Sequence, residues 1–232
     1  MLLEVDDIHV DYGASRVLQG TTLSLAAGEV LGVLGRNGMG KTTLVHTIVG
    51  FLRPRHGRIR LGGTRIDAWP SERIARRGVT LVPQGRRVFP SLSVGEHLDV
   101  AARSGTGGWD VAEVCVRFPV LADRWSQPAG LLSGGEQQML ALARALVGNG
   151  ALVLMDEPSE GLDPERVAVV SGVVRDLASR GSAVLLVEQR VAFALAVVDR
   201  VAVMERGRVT FGADADAVRA QPRALHRELG FA

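Results

Sequence analysis

The chain predicts an α/β fold carrying an antiparallel β part and a small inserted α-helical part. Three observations predict it. Short apolar runs at 30–34, 79–82, 151–155 and 183–187 read as buried strands and alternate with helical patterns. A glycine-rich loop at 35–43 joins the first of these runs to a helix. The alternation then breaks over 91–130, where Ser, Gly, Trp and Pro sit among helical pieces. With 232 residues, 47% of them hydrophobic, the chain can bury a substantial core.

The elements follow in order. Residues 1–10 alternate loosely through Leu3, Val5, Ile8 and Val10 and read as an edge strand, with 17–25 as its antiparallel partner. Gly28 turns the chain into the strand at 30–34, and a helix follows from Thr43 to Val49. After a turn at 52–57, residues 58–61 and 64–66 flank Gly62-Gly63 as a short hairpin. Ser71–Arg77 reads as a short helix, and Val79–Val82 as a strand ending at Pro83-Gln84. The helical insertion contains a glycine-rich break at 104–108 and ends at Leu132-Ser133-Gly134-Gly135-Glu136-Gln137-Gln138. An apolar-faced helix over 139–147 leads to the strand at 151–155. A helix at 164–180 and the strand at 183–187 come next. The tail from 199 gives a hairpin around Arg206-Gly207 and a short amphipathic helix. The expected organisation is a single unit, with 1–84 and 151–232 as its core and about 85–150 as the helical part.

The loop Gly35-Arg36-Asn37-Gly38-Met39-Gly40-Lys41-Thr42-Thr43 fits Gly-x-x-x-x-Gly-Lys-Thr, the phosphate-binding loop. Its glycines let backbone N–H groups approach a polyphosphate, and the following helix N-terminus adds partial positive charge. Gly35, Asn37, Gly38, Gly40, Lys41, Thr42 and Thr43 are the expected nucleotide contacts. Lys41 is suited to the β- and γ-phosphates and Thr42 to Mg²⁺. Lys41 is also the single lysine among 27 basic residues, so the bias towards arginine spares this one position.

Polar residues end several strands: Gln84, Asp156, Glu157 and Gln189. Ligands bind open α/β sheets at that edge, where the glycine loop also lies, so these residues are expected to converge. Asp156, after a buried apolar run, is suited to hold Mg²⁺. Glu157 is suited to orient or deprotonate an attacking water. Taken alone, the pair also reads as an N-cap before a helix.

Composition excludes some classes. A formal net charge of +2, without a basic tail, does not point to nucleic acid. One cysteine, Cys115, cannot form an internal disulfide, which fits a cytosolic compartment. The acidic residue at Glu4 argues against a signal peptide, and no apolar run approaches the ~20 residues needed to span a bilayer.

The segment Leu132-Ser133-Gly134-Gly135-Glu136-Gln137 closely resembles the signature motif of the ATP-binding cassette family, the nucleotide-binding subunits of ABC transporters. The resemblance spans essentially the whole chain. It implies an ATPase with ATP and Mg²⁺ as cofactors, on a phosphate-loop fold with a RecA-like core. It implies a head-to-tail pair in which Ser133, Gly134 and Gly135 reach the γ-phosphate held by the second subunit. Transmembrane permease subunits, an extracytoplasmic solute-binding protein and a site at the cytoplasmic face of the membrane follow from it, with no nucleic acid partner. Position by position, Tyr12 matches the aromatic that stacks on adenine, with Val17 as an apolar contact. Gln84 matches the glutamine that touches Mg²⁺ or the attacking water, and 159–163 matches the loop that crosses to the partner. Arg86, Arg87 and Phe89, just after Gln84, are candidates for the contact with the membrane partner, or form an ordinary solvated loop.

One position departs from the general pattern. Many cassettes have a γ-phosphate-contacting histidine where Gln189 stands. An amide still hydrogen-bonds a phosphate oxygen but neither carries charge nor titrates near neutrality. Gln189 therefore reads as a competent sensor or as the mark of a slow site. The segments 82–94, 127–140 and Leu185-Leu186-Val187-Glu188-Gln189 look like the branched-chain amino acid importer cassettes and their urea and amide relatives, where glutamine at this place is usual. Asp163, where many of that group have Ala, is a small departure. An exporter cassette and a non-transport cassette remain the alternatives.

Overall fold

The computed structural model describes residues 1–13, 15–85, 87–102, 108–221 and 225. Arg86 and most of the expected glycine-rich break at 104–108 lie outside the described residues. Two sheets form. The first has four antiparallel strands in the order β2 (Ser15–Leu25), β1 (Leu3–Tyr12), β4 (His56–Leu61), β5 (Thr64–Arg65). The second has six in the order β10 (Arg208–Asp214), β9 (Arg200–Glu205), β3 (Val30–Leu34), β8 (Ala183–Glu188), β7 (Leu152–Asp156), β6 (Val79–Val82). Its five strands from β9 to β6 are parallel, and β10 closes one edge antiparallel.

The apolar runs work because both faces of the parallel strands are covered. Along β7, Leu152 and Leu154 point into a core shared with the first sheet and with α1 (Lys41–Ile48). Val153 and Met155 point the other way, into a core built on α6 (Gly134–Val147), α7 (Pro164–Ser179) and the helical insertion. β8 alternates in the same way, with Ala183, Leu185 and Val187 on one side and Val184 and Leu186 on the other. The period of two thus survives inside runs that look uniformly apolar.

Three expectations change. Residues 1–10 are not an edge strand: Leu3 pairs with Leu25 on one side and with Leu61 on the other. One buried face per strand reveals alternation but not the number of neighbours. The helix expected at 139 begins at Gly134 instead. Ser133 and Glu136 form a capping box, with Glu136 Oε2 accepting from Ser133 N at 2.7 Å. Satisfying the first-turn donors lets two glycines join a helix that their propensity opposes. A further helix, α8 (Val191–Val197), follows β8 and buries Phe193, Ala194 and Val197, where no helix was expected. The insertion itself supplies α3 (Val94–Ala101), α4 (Val111–Arg117) and α5 (Pro119–Asp123). α2 (Ser71–Arg76) and α9 (Ala215–Ala220) lie close to where the sequence put them.

Candidate nucleotide site

Strand register brings the site together. Leu34 pairs with Glu188, Asp156 with Val187, and Val82 with Met155. The residues that follow these strand ends therefore emerge at one edge: the glycine loop, Gln84, Glu157 and Gln189. A cleft of about 280 Å³ opens there, lined by Val17, Asn37, Gly38, Gly40, Lys41, Thr42, Thr43, Gln84 and Glu157.

The loop's glycines adopt backbone angles that side chains oppose: φ is +81° at Gly38 and +102° at Gly40. The first intrahelical bond of α1 runs from Leu44 N to Gly40 O at 2.9 Å. The N–H groups at the start of the helix thus lack helical acceptors and are available to a phosphate. Gly207, with φ +75°, sits in the tight β9–β10 turn beside Arg206, φ +46°. Gly207 N donates to Met39 O, and Gly207 O accepts from Gln19 N, each at 2.9 Å. A Cβ on Gly207 would overlap the Val17 carbonyl. This glycine therefore docks β2, with Val17, against the phosphate loop. The sequence marked it as a turn, but its contact with β2 spans far too many residues to be read locally.

Lys41 is only 4% exposed. Its Nζ donates to Gly35 O at 2.8 Å and Arg36 O at 3.1 Å, and pairs with Glu157 Oε1 at 3.1 Å. Glu157 holds a left-handed backbone, φ +49°, and its N–H donates to Val187 O at 2.9 Å. For a glutamate such a backbone costs on the order of 1–3 kcal/mol, and residues of this kind cluster where a side chain must be aimed. The Gln84 amide donates to Glu160 Oε2 at 3.1 Å and lies 3.5 Å from Glu157 Oε2. Glu160 is a participant the sequence reading placed only within a loop motif.

Asp156 is 2% exposed, and the Thr42 hydroxyl hydrogen-bonds its carboxylate. Its Oδ1 has no partner among the described residues. Burial pushes this carboxyl up to about 6; Glu157 and Glu188 add to the effect, while Thr42 and Lys41 oppose it. A buried carboxylate oxygen without a donor, beside a threonine hydroxyl, fits a hard divalent cation such as Mg²⁺. Glu188 is buried as well, which raises its carboxyl above the ordinary range. It accepts from Ser159 N at 3.1 Å and from Gln189 N at 3.1 Å, tying the loop after β7 to the end of β8. That tie was missed, because a buried acid at a strand end looks in sequence like any other polar residue.

Other expected residues are not among those lining the cleft. Tyr12 ends β1, is 48% exposed and does not line it. Gln189 is exposed just beyond β8 and does not line it either. Ser133 caps α6, with Gly134 and Gly135 in its first turn, and none of the three lines the cleft. Their segment packs against the start of α7, where a Cβ on Gly135 would meet the Arg166 side chain.

Comparison with known proteins agrees with this geometry. Residues 18–160 match the ABC transporter family. The high-affinity branched-chain amino acid transport ATP-binding protein BraG of Pseudomonas aeruginosa is 36% identical, over 99% of this chain and all of its own length. The hemin import ATP-binding protein HmuV of Pseudomonas entomophila is 33% identical, over 89% of this chain and 84% of its own. The lipopolysaccharide export system ATP-binding protein LptB of Haemophilus influenzae is 31% identical, over 90% of this chain and 88% of its own. Among solved structures, an ATP-binding subunit of an ABC transporter superposes with a TM-score of 0.85 at 30% identity, covering 99% of this chain and all of that one.

Proposed function

The chain belongs to the ABC transporter family as an ATP-binding, ATP-hydrolysing subunit, and from that premise we propose that it powers import of branched-chain amino acids or related small solutes. The observation that carries the catalytic part of this reading is the cluster at the sheet edge. One buried cation, Lys41, and two acids, Asp156 and Glu157, stand around a helix N-terminus.

Lys41 and the loop amides bind the triphosphate. Nζ exchanges its Glu157 partner for phosphate oxygens, which frees Glu157 Oε1 to face water. Asp156 and Thr42 would hold Mg²⁺, with Gln84 beside them, and the ion would supply charge neutralisation to the triphosphate. Glu157 accepts hydrogen bonds from the attacking water and orients it for in-line displacement. Its carboxylate faces the phosphate loop, 3.1 Å from Lys41 Nζ. Gln84 positions the same water and carries the nucleotide state towards the helical part at about 85–150. Gln189 senses the γ-phosphate by hydrogen bonding. The nucleotide base stacks on Tyr12 with Val17 beneath it.

The position of Ser133, Gly134 and Gly135 outside the cleft supports a head-to-tail pair in which each subunit completes the other's site. Among the described residues no helix is long and apolar enough to cross a membrane. A permease partner at the cytoplasmic face, contacted through Arg87 and Phe89, supplies the membrane path. Phe89 is 57% exposed, which supports its availability for that contact. The 36% identity to BraG over both full lengths supports amino acids as cargo.

The test is first to look beside its gene for permeases and a periplasmic-type solute-binding protein, whose absence would sink the import reading, and then to reconstitute the chain with them. ATP-driven uptake of labelled leucine into vesicles, lost with Lys41→Ala, is expected. Stimulated ATPase activity with outward movement of a lipid, or with none of the branched-chain amino acids carried inward, would overturn the solute assignment.

A further inference from the structure

Asp7, His9 and His56 meet on the four-stranded sheet, and none of them lines the nucleotide cleft. His9 Nε2 is 3.1 Å from Asp7 Oδ1, and His56 Nδ1 is 3.3 Å from Asp7 Oδ2. One donor atom from each side chain lies within 4.8 Å of the other two. The two imidazoles stand edge to face, with centroids 5.5 Å apart.

The backbone is shaped to bring these groups together. Asp7 is left-handed, φ +49°, inside a bulge where the register of β1 shifts against both β2 and β4. Its N–H donates to Thr22 Oγ1 at 3.0 Å. Gly57, φ +94°, lets the start of β4 come close, since a Cβ there would overlap the Asp7 carbonyl.

We propose that Asp7, His9 and His56 form a Zn²⁺-binding site. Donors about 2.0–2.2 Å from a tetrahedral ion stand roughly 3.3 Å from one another. Each histidine is near that spacing from one oxygen of Asp7, His9 from Oδ1 and His56 from Oδ2. Rotation of the exposed Asp7 carboxylate and His56 ring draws one donor from each side chain, now within 4.8 Å of one another, onto a single ion. Two imidazoles and one carboxylate suit a borderline cation, whereas Mg²⁺ favours oxygen donors such as Asp156 and Thr42. Three protein ligands leave the fourth position to water. The neighbouring Arg55 is committed to Asp11 at 3.1 Å, which limits its competition for the site. The ion would cross-link the β1 bulge to the start of β4, in the strand that ends at Tyr12.

Calorimetric titration of the full chain with Zn²⁺ in excess Mg²⁺ tests this. One Zn²⁺ per chain is expected, with affinity weakened at least about tenfold in His56→Ala or Asp7→Asn. Affinity should be unchanged in Asp156→Asn and in Cys115→Ser. Co²⁺ at the same site should give the intense visible absorption of a tetrahedral centre, absent from His56→Ala. Zn²⁺ should also raise the melting temperature of the wild type and not of His56→Ala. His56 is largely exposed, so its variant keeps the fold. Equal Zn²⁺ affinity in the wild type and His56→Ala, or loss of binding in Asp156→Asn, would overturn the assignment and leave the trio as a hydrogen-bonded pair of histidines on one carboxylate.

Discussion

Replacing Asp156 with Asn should separate the stability of this protein from its function. The carboxyl is raised from its ordinary 3.8 to about 6, chiefly by burial. An acid whose folded value lies above its unfolded value favours folding while protonated. Its contribution is therefore greatest below about pH 3.8, falls as pH rises and levels off above about pH 6. The shift of roughly 2 units corresponds to about 3 kcal/mol of destabilisation at neutral pH. Between about pH 4.5 and about pH 8 the expected change is roughly 2 kcal/mol. Asparagine does not titrate, so the variant should lack that slope. Its amide, placed at the orphan Oδ1 position, costs about 1–3 kcal/mol, but equally at both pH values, so the comparison cancels it. Urea unfolding of nucleotide-free protein with a chelator, at both pH values, measures the double difference. ATPase activity should fall by on the order of 10²-fold or more, because the cation loses its anionic ligand. Parallel pH–stability curves for the two proteins would refute the argument that Asp156 is folded at a cost.

Glu157→Gln keeps the side chain's shape but removes its charge and its basicity. ATP hydrolysis should drop about 10²–10⁴-fold while ATP binding persists, with an ATP-dependent dimer visible by gel filtration; a wild-type rate would remove Glu157 from the role of base. Gly207→Ala combines a disfavoured φ with a clash against the Val17 backbone, so a loss on the order of 2–4 kcal/mol is expected, together with weaker nucleotide binding. A melting temperature within a degree of wild type would show that the hairpin can move away from β2 at little cost.

Much of the site was legible because phosphate chemistry demands it locally. Gly38, Gly40, Lys41 and Thr42 act within a few residues of one another, and their geometry is set by one turn and one helix start. Asp156 and Glu157 were legible as polar residues at the end of a buried run. What they touch was not. The Lys41–Glu157 pair joins two strand ends that the sequence separates by more than a hundred residues, and only the β3–β8–β7 order makes them neighbours. The same limit hid β1's second partner, the role of Glu188 and the hold of Gly207 on Val17.

Apolar runs, glycines and caps in the sequence were enough to determine that this is an α/β nucleotide-binding chain, because hydrophobic periodicity, backbone freedom and capping are written in neighbouring residues. Tertiary structure decided which strand ends share an edge, that Ser133, Gly134 and Gly135 do not line the cleft, and that Asp7, His9 and His56 converge. Those facts depend on sheet order and register. Register is set by the simultaneous packing of two cores on opposite faces of one sheet, and no single stretch of the chain encodes that.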